Sequence, residues 1–228
     1  FNGVDSAVVN SNPNLQVGTG YDQLDLLQKI RFKASEDLEF ILNTQYSTSS
    51  NVNRFDRLND VKDTVPSFAE WYYGPQNRFM TSLTTSITKE VGAFNAASII
   101  LAYQNLDEDR VNRRFKDDWR NYRFEDVDVF SLNADFAKRF DSIHSISYGL
   151  EGTHNIVASQ ANSTNIVTGE VTANQTRYPD GGSTMSTFSA YFAYDRKVSE
   201  HSLINSGVRY SRSILNSKFI DTSFTQLP

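Results

Sequence analysis

The sequence predicts an all-β fold: an antiparallel up-and-down transmembrane β-barrel, with about eight strands in this chain. Three observations lead to this prediction. Eight segments alternate apolar and polar residues with period 2, which is the pattern of a strand with one apolar face. Short and long connections alternate between these segments, as they do in β-barrels that span a membrane. Aromatic residues gather near the strand ends, as expected at the two membrane interfaces.

In each candidate strand most of the apolar residues fall on one parity. The segments cover residues 24–33, 37–46, 78–87, 97–103, 129–136, 144–152, 187–195 and 204–210. In chain order these apolar residues are Leu24, Leu26, Ile30 and Phe32; Leu38, Phe40, Leu42 and Tyr46; Phe79, Leu83 and Ile87; Ile99, Leu101 and Tyr103; Phe130, Leu132, Ala134 and Phe136; Ile146, Tyr148 and Leu150; Phe188, Ala190, Phe192 and Tyr194; and Ile204, Val208 and Tyr210. The other parity is polar and carries charges, among them Lys29, Arg31, Glu39, Glu151 and Arg209. In a wide barrel this parity faces the lumen. The alternative is a soluble all-β domain, because Phe and Tyr are also good strand formers in a core.

The connections differ in length in an ordered way. Short turns are predicted at residues 34–37, 88–92, 137–142 and 195–201, and long polar connections at 47–67, 105–118 and 158–185. Within the second long connection, Val111, Phe115, Trp119 and Tyr122 recur at helical spacing, so a short helix and a strand are both compatible with it. We expect an extended strand from Trp119 onward.

The segment EWYYGPQNRFM (70–80) interrupts a strand-forming run with Gly74-Pro75. Proline cannot donate to a sheet ladder, and glycine in a strand often marks a bulge. The segment therefore predicts a bulge or a rim position at Pro75. The three aromatic residues before it, Trp71, Tyr72 and Tyr73, are expected at the level of the lipid headgroups.

Composition excludes several other classes. The 228 residues suffice for one or two domains, and the chain has no cysteine, so it forms no disulfide and offers no thiolate ligand or nucleophile. A net charge of −5 argues against a general nucleic-acid binder. No run of residues approaches the ~20 apolar positions that a membrane helix needs. A barrel strand faces lipid with only every second residue, so a membrane barrel reads as polar on average.

Longer phrases resemble a known family. GTGYDQLDLLQKIRFKASEDLEF (18–40), YYGPQNRF (72–79) and TRYPDGGSTMSTFSAYFAYDRKVSEHSLINSGVRYS (176–211) resemble the barrel of TonB-dependent outer-membrane receptors, of the siderophore and haem type found in Bacteroidetes-like bacteria. The resemblance covers residues 14–212. It implies a larger barrel of about 22 strands around a plug, so that residues 1–228 are part of the barrel domain, without the plug domain or a signal peptide.

The resemblance also implies a function and a location in the bacterial outer membrane. Such a receptor binds and imports a ferric siderophore, haem or a similar iron source. Its partners would be the TonB energy-transducing complex, which acts through the plug, the iron chelate or haem, and outer-membrane lipid, with no nucleic acid and no cofactor. Two alternatives remain: an importer of glycans or peptides on the same barrel, and a soluble all-β binding domain.

Candidate ligand-binding residues lie in the outer connections: Arg113, Arg114, Trp119, His154, Arg177 and Tyr178. Arg177 and Tyr178 would present a cation and an aromatic ring to an anionic, aromatic ligand such as a ferric siderophore. His154 is expected near the mouth of the third long connection, within reach of haem or a metal.

No catalytic constellation is visible, so the sequence predicts no enzyme. The three histidines are not at ligand spacing, and no nucleophile-elbow, phosphate-loop, dinucleotide or zinc-hydrolase motif occurs. The carboxylates of Asp107, Glu108 and Asp109 are of the kind that binds calcium. Because Arg110 follows them directly, a solvated loop tip is the favoured interpretation.

Overall fold

A computed structural model describes residues 5–223, which form thirteen β-strands and one four-residue helix. The eight long strands are β1 (Gln23–Lys33), β2 (Leu38–Ser49), β7 (Asn77–Thr88), β8 (Ala96–Arg114), β9 (Trp119–Arg139), β10 (His144–Asn165), β12 (Ser183–Ser199) and β13 (Ser202–Ser217). The short elements are β3 (Val52–Asn53), α1 (Phe55–Leu58), β4 (Val61–Lys62), β5 (Val65–Pro66), β6 (Phe68–Tyr73) and β11 (Val171–Ala173). Within these described residues, no helix has the length and apolar character needed to cross a membrane.

The long strands form one antiparallel sheet in the order β1-β2-β7-β8-β9-β10-β12-β13. They coincide with the eight segments that alternate in the sequence, so the predicted all-β, up-and-down architecture is confirmed. Within residues 5–223, β1 and β13 each pair on one side only, and the sheet is open.

The two faces of the sheet differ in chemistry. Because side chains alternate along a strand, residues that pair across the ladder form rows on one face. One row of the apolar face crosses the whole sheet as Ile30, Leu42, Leu83, Leu101, Leu132, Gly152, Phe188 and Arg212. The neighbouring row of the polar face is Arg31, Ile41, Thr84, Ile100, Asn133, Glu151, Ser189 and Ser211.

Within the described part of the chain, no second layer covers the apolar face. Leu101 is 52% exposed and Phe188 is 51% exposed, although both lie in strands that pair on both sides. Among the described residues only four apolar side chains are buried, those of Trp71, Ala97, Val111 and Ala134. A soluble domain buries its apolar face against another layer. This sheet therefore requires an apolar surrounding on one side.

Aromatic side chains bound the apolar band at both ends. At one end the ring of Tyr103 lies 5.0 Å from that of Phe130 and 6.3 Å from that of Phe79. At the other end the ring of Phe136 lies 5.2 Å from that of Tyr148. Two such rows match the aromatic girdles that flank the lipid-facing band of membrane barrels.

The short turns step progressively along the strands. The row of paired residues that contains Leu38, Ile87, Phe136 and Phe192 serves as a reference level across the sheet. From one hairpin to the next, the last cross-strand pair before the turn moves progressively in one direction from this level. These pairs are, in order, Lys33–Glu39, Thr88–Ala96, Arg139–Ser145 and Ser199–Ser202. The shift reaches about seven residues across six strands. The strands rise about 3.3 Å per residue and lie about 4.8 Å apart. If the four turns lie at the same depth, a shift of this size therefore requires the strands to tilt by roughly 40°, which is the tilt found in closed barrels.

Two expectations about the connections are wrong. Residues 105–118 are not a long polar connection, because β8 continues to Arg114 and only four residues separate it from β9. The alternative of a short helix through Val111, Phe115, Trp119 and Tyr122 is also wrong. The expected strand from Trp119 onward is confirmed. The third connection is also shorter than expected, since β10 continues to Asn165. Strands β8, β9 and β10 thus extend well beyond the apolar band.

A β-bulge joins β6 to β7. Both strands pair, one after the other, with the same edge of β8. Between the pairs Tyr73–Arg110 and Asn77–Asp107, three residues of one strand oppose two residues of β8. One extra residue in one strand defines a bulge and shifts the alternation of side chains by one position.

The Gly-Pro dipeptide occupies this bulge. Gly74 donates its backbone N–H to the carbonyl oxygen of Asp109 at 2.8 Å, and Pro75 lies outside the regular pairing. A Cβ at Gly74 would lie 2.5 Å from the Cβ of Asp109, so a larger residue cannot approach β8 this closely. The predicted bulge at Pro75 is confirmed.

Gly149 is a second glycine with a close neighbour. It lies on the polar face of β10, at the level of the apolar band. The ring of Tyr191 lies across Gly149, and its hydroxyl donates to Asp135 Oδ1 at 2.7 Å, two strands away. A Cβ at Gly149 would lie 2.5 Å from the tyrosine ring and 2.6 Å from the carbonyl oxygen of Ala134. Tyr191 therefore reaches Asp135 only because position 149 has no side chain.

We expect Gly149→Ala to lower the unfolding free energy by about 1–3 kcal/mol, since the added methyl group must displace Tyr191 or the backbone. Urea unfolding of the full-length protein in detergent measures the effect. Gly152→Ala is the matched control on the other face of β10, because its added Cβ meets nothing nearer than 4.0 Å. A loss of the same size in both variants would contradict this role for Gly149.

Candidate ligand-binding site

The candidate site lies on the polar face, at the end of the sheet where the long connections meet. The bulge before β7 brings Trp71 and Tyr73 to this face, opposite the side occupied by Phe79. Only Tyr72 of the three aromatic residues lies on the other face. Trp71 is 9% exposed, and its ring packs edge-on against that of Tyr73 with centroids 5.2 Å apart. The expectation that Trp71 and Tyr73 lie with the lipid headgroups is therefore wrong.

Two arginines flank this aromatic pair. The guanidinium of Arg54, just before α1, lies 4.9 Å from the ring of Trp71 and 5.7 Å from that of Tyr73. The guanidinium of Arg110, in β8, lies 5.6 Å and 5.2 Å from the same rings. These are cation–π distances. Arg54 also donates to the hydroxyl of Tyr73 at 2.9 Å and pairs with Asp56.

Two carboxylates lie next to Arg110 on the polar face. Glu108 and Glu125 face each other across the β8–β9 ladder. Glu125 is 4% exposed, and its Oε2 has no hydrogen-bond partner; the same holds for Nε of Arg110. Burial raises the pKa of Glu125, although the guanidiniums of Arg177 and Arg110 oppose the rise. An acid in this position takes up a proton more readily than an exposed carboxylate.

Residues 174–180, which we call the latch segment, fold back over this face from the β10–β12 connection. The Asn174 amide donates to Asn121 Oδ1 at 2.8 Å, and Tyr178 donates its backbone N–H to Ser159 Oγ at 3.4 Å. Arg177 stacks on the ring of Tyr178 at 5.4 Å. Its Nη1 lies 3.4 Å from Glu108 Oε1 and 4.0 Å from Glu125 Oε2.

Among the described residues, the site combines four arginines with three carboxylates. These are Arg54, Arg110, Arg123 and Arg177, and Asp56, Glu108 and Glu125. The chain as a whole carries a net charge of −5, so a net positive group of side chains here is a local feature. Arginines stacked on aromatic rings bind anions and flat aromatic groups. The arrangement suits an anionic ligand with an aromatic or otherwise planar part.

A second charged cluster lies at the tip of the β8–β9 hairpin, on the opposite face. Arg113 donates to Asp5 at 2.7 and 2.8 Å, to Glu70 at 2.9 Å and to the carbonyl oxygen of Asp117 at 2.8 Å. Glu70 also accepts two hydrogen bonds from Arg120, at 2.6 and 2.8 Å. Burial would raise the pKa of Glu70, but the bonds from Arg120 and Arg113 outweigh it and hold that pKa below its usual range.

The structure places the six predicted site residues in three locations. Arg113, Arg114 and Trp119 lie at the hairpin tip, where Arg113 is only 7% exposed and its charge is met by two carboxylates. Arg177 and Tyr178 belong to the site on the polar face. His154 lies on the apolar face, in the middle part of β10, and not at the mouth of the third connection. Its Nδ1 is 2.8 Å from Ser186 Oγ.

Sequence reasoning missed most of the site. Trp71 and Tyr73 were expected at the lipid headgroups, and Glu108 and Arg110 at a loop tip. In the structure β8 runs through them, so Asp107 and Asp109 face away from Glu108. No group of three or more acidic or histidine side chains suited to a metal ion occurs within residues 5–223. Glu108 and Glu125 pair because β8 continues as a strand to Arg114, where the sequence had suggested a long connection.

Comparison with known proteins supports the fold. No protein-family model matches the sequence, and no curated protein matches it either. Among solved structures, the copper transporter OprC superimposes with a TM-score of 0.67 at 10% sequence identity. The match covers 86% of this chain and 29% of that one, so this chain spans less than a third of the transporter's length. At this identity the likeness is one of fold.

The cluster at the hairpin tip leads to a prediction for Glu70, whose carboxylate is shared by Arg113 and Arg120. We expect Glu70→Gln to lower the local opening free energy of the tip by about 2 kcal/mol, since the buried Arg113 loses a charged acceptor. Hydrogen exchange of the amides around residues 112–121 measures it. Glu90→Gln is the control: its carboxylate is 81% exposed and lies 3.7 Å from Lys138, so we expect a loss under about 0.5 kcal/mol. Equal losses would contradict this role.

The contact of Asp5 with Arg113 predicts a dependence on pH. The hydrogen bond from Arg113 lowers the pKa of Asp5. A carboxyl group with a lowered folded pKa stabilises the folded state above its unfolded pKa and loses that effect as the pH falls through the folded value. The contact is therefore complete at neutral pH and weakens below about pH 4. Exchange of the Lys116 amide, which donates to Asp5, should accelerate there beyond the intrinsic rate, and Asp5→Asn should abolish the step.

Proposed function

We propose that this chain forms part of the wall of a transmembrane β-barrel in the bacterial outer membrane, and that the barrel imports an iron source, a ferric siderophore or haem. The observation that carries the proposal is the arginine–aromatic site around Trp71 and Tyr73. It lies on the polar face and at one end of the sheet, where a ligand entering a lumen arrives first. A complexed metal with anionic, planar ligand groups fits its chemistry.

The difference between the two faces of the sheet supports a position in a membrane. An apolar face without a covering layer, bounded by two rows of aromatic rings, matches a lipid-facing surface. The stagger of the short turns gives the tilt of a closed barrel. Inside a bilayer an unpaired strand edge leaves backbone N–H and C=O groups without partners. The open edges at β1 and β13 are therefore expected to pair with further strands of a larger barrel.

The lumenal surface supports transport without chemistry. Ser, Thr and Asn side chains line the polar face, and its charges pair across strands, as Arg209 does with Glu151. Such a wall can contact a plug through water. Energy from the TonB complex would act on that plug. Such transport would need no bond-making step, so selectivity would come from differential contacts with the ligand.

Copper is not proposed as the cargo of these residues, although OprC is a copper transporter. Reduced copper prefers sulfur ligands. The chain has no cysteine. Its two methionines, Met80 and Met185, share a row of the polar face but lie in β7 and β12, with three strands between them. The donor set therefore favours an anionic chelate over the bare metal.

Titration of the full-length protein in detergent tests the function. We expect an anionic ferric chelate or haem to bind, and Arg54→Ala combined with Arg110→Ala to weaken that binding about tenfold or more, because each arginine supplies a charged contact. Arg139→Ala is the matched control, since Arg139 is exposed at the opposite end of β9. Binding of a neutral oligosaccharide instead, insensitive to these arginines, would favour the glycan importer. A well-folded monomer in buffer without detergent would favour the soluble domain.

A further inference from the structure

The latch segment crosses the polar face and has few contacts with the wall between its two ends. Its first residue, Asn174, donates its backbone N–H to the carbonyl oxygen of Ala161 at 3.4 Å and its amide to Asn121 at 2.8 Å. Its last residue, Asp180, accepts backbone hydrogen bonds from Ile220 and Asp221, both at 2.8 Å. Between these ends, the carbonyl oxygen of Gln175 accepts from Arg123 at 3.2 Å, and Tyr178 donates to Ser159 Oγ at 3.4 Å, which is long for a hydrogen bond. The segment carries one cation into the site, Arg177, so the hold of its middle part on the wall depends on the ionic contacts of that side chain.

Those ionic contacts are incomplete. Arg177 Nη1 is 3.4 Å from Glu108 and 4.0 Å from Glu125, and Arg110 Nη2 is 3.5 Å from Glu108. Oε2 of Glu125 and Nε of Arg110 are buried without a partner. An arginine and a carboxylate in good geometry form two parallel bonds of 2.7–2.9 Å. Two cations and two carboxylates share this space without reaching that geometry, and an unmet buried polar atom costs free energy.

We propose that Glu108 and Glu125 occupy, in the ligand-free protein, the place that a carboxylate group of an anionic ligand takes beside Arg177, and that binding of such a ligand releases the latch segment from the wall. The identity of the ligand group rests on the proposed function. The attachment of the latch segment by Glu108 and Glu125 does not.

The exchange is physically balanced. A free carboxylate can orient itself to form two bonds with one guanidinium, which the strand-bound Glu108 and Glu125 do not achieve. Glu125 then loses its contact with Arg177 and remains buried. Because burial raises its pKa, it can take up a proton and avoid an unpaired charge. Arg110 stays on the wall against Trp71 and Tyr73, where a second anionic group of the same ligand can bind beside the aromatic pair.

Hydrogen–deuterium exchange of the full-length protein in detergent tests the attachment. The readout is the peptide that contains the amide of Tyr178, which donates to Ser159 Oγ on β10; the amides of Gly181 and Gly182, which bond to Lys218 and Pro179, report the far end of the segment. We expect Glu108→Gln combined with Glu125→Gln to accelerate its exchange about tenfold, the effect of losing a charged contact. Glu170→Gln, an exposed acid in the same connection, is the control and should leave exchange unchanged. Glu108→Gln alone should give a smaller acceleration without altering a buried side chain.

Citrate, added at constant ionic strength, tests the displacement. In the wild-type protein it should accelerate exchange of the same peptide, whereas chloride at equal ionic strength should not. In the double variant exchange should be fast with or without citrate.

Unchanged exchange in both glutamate variants would overturn the attachment of the latch segment. Fast exchange in the double variant with no citrate effect on the wild type would overturn the displacement. A citrate response in a protein that binds no ferric chelate or haem would support the inference and refute the proposed cargo, so the two failures are distinguishable.

Discussion

The register of the β8–β9–β10 ladder is the constraint on which the rest of the structure depends. Its cross-strand pairs run without a break from Arg139–Ser145 to Trp119–Asn165, and from Ala96–Ala137 to Arg113–Arg120. A slip of one residue would turn every side chain to the other face. It would place leucines on the polar face and Glu151 on the apolar face, where an unpaired charge is costly. One alternation thus fixes the apolar band and, farther along the same strands, the charged site.

The bulge between β6 and β7 changes the alternation of side chains next to the site. Without the extra residue, the parity of Phe79 would continue through Tyr73 and Trp71, and both would face the apolar side. The shift instead sets them against Arg110, which β8 has already placed on the polar face. Gly74 permits the shift because β8 lies too close for a side chain. A local backbone irregularity therefore creates the aromatic half of the site.

The sequence predicts the parts of the strands in which one face is apolar. It does not predict the parts in which neither face is apolar. All eight long strands follow from alternation, and the bulge follows from Gly74-Pro75. Beyond the band, residues 105–110 of β8 are polar or charged on both faces except at Leu106, so their periodicity is lost and residues 105–118 resemble a loop. The site could not be predicted for this reason, since Glu108, Arg110 and Glu125 meet only if both strands continue. Arg177 and Tyr178 were found because their chemistry is local, whereas their partners come from distant strands.

The two charged clusters show how the same strands serve different purposes on their two faces. At the hairpin tip, Arg113 has two carboxylates and a carbonyl oxygen at short distances, so its charge is satisfied within the protein. On the polar face, Arg110 and Arg177 share their carboxylates at 3.4 Å or more. A satisfied network resists exchange, because opening it leaves a buried charge unpaired. An unsatisfied one gains from a better partner. The difference in distance, and not the number of charges, separates the cluster that holds the tip together from the one that can accept a ligand.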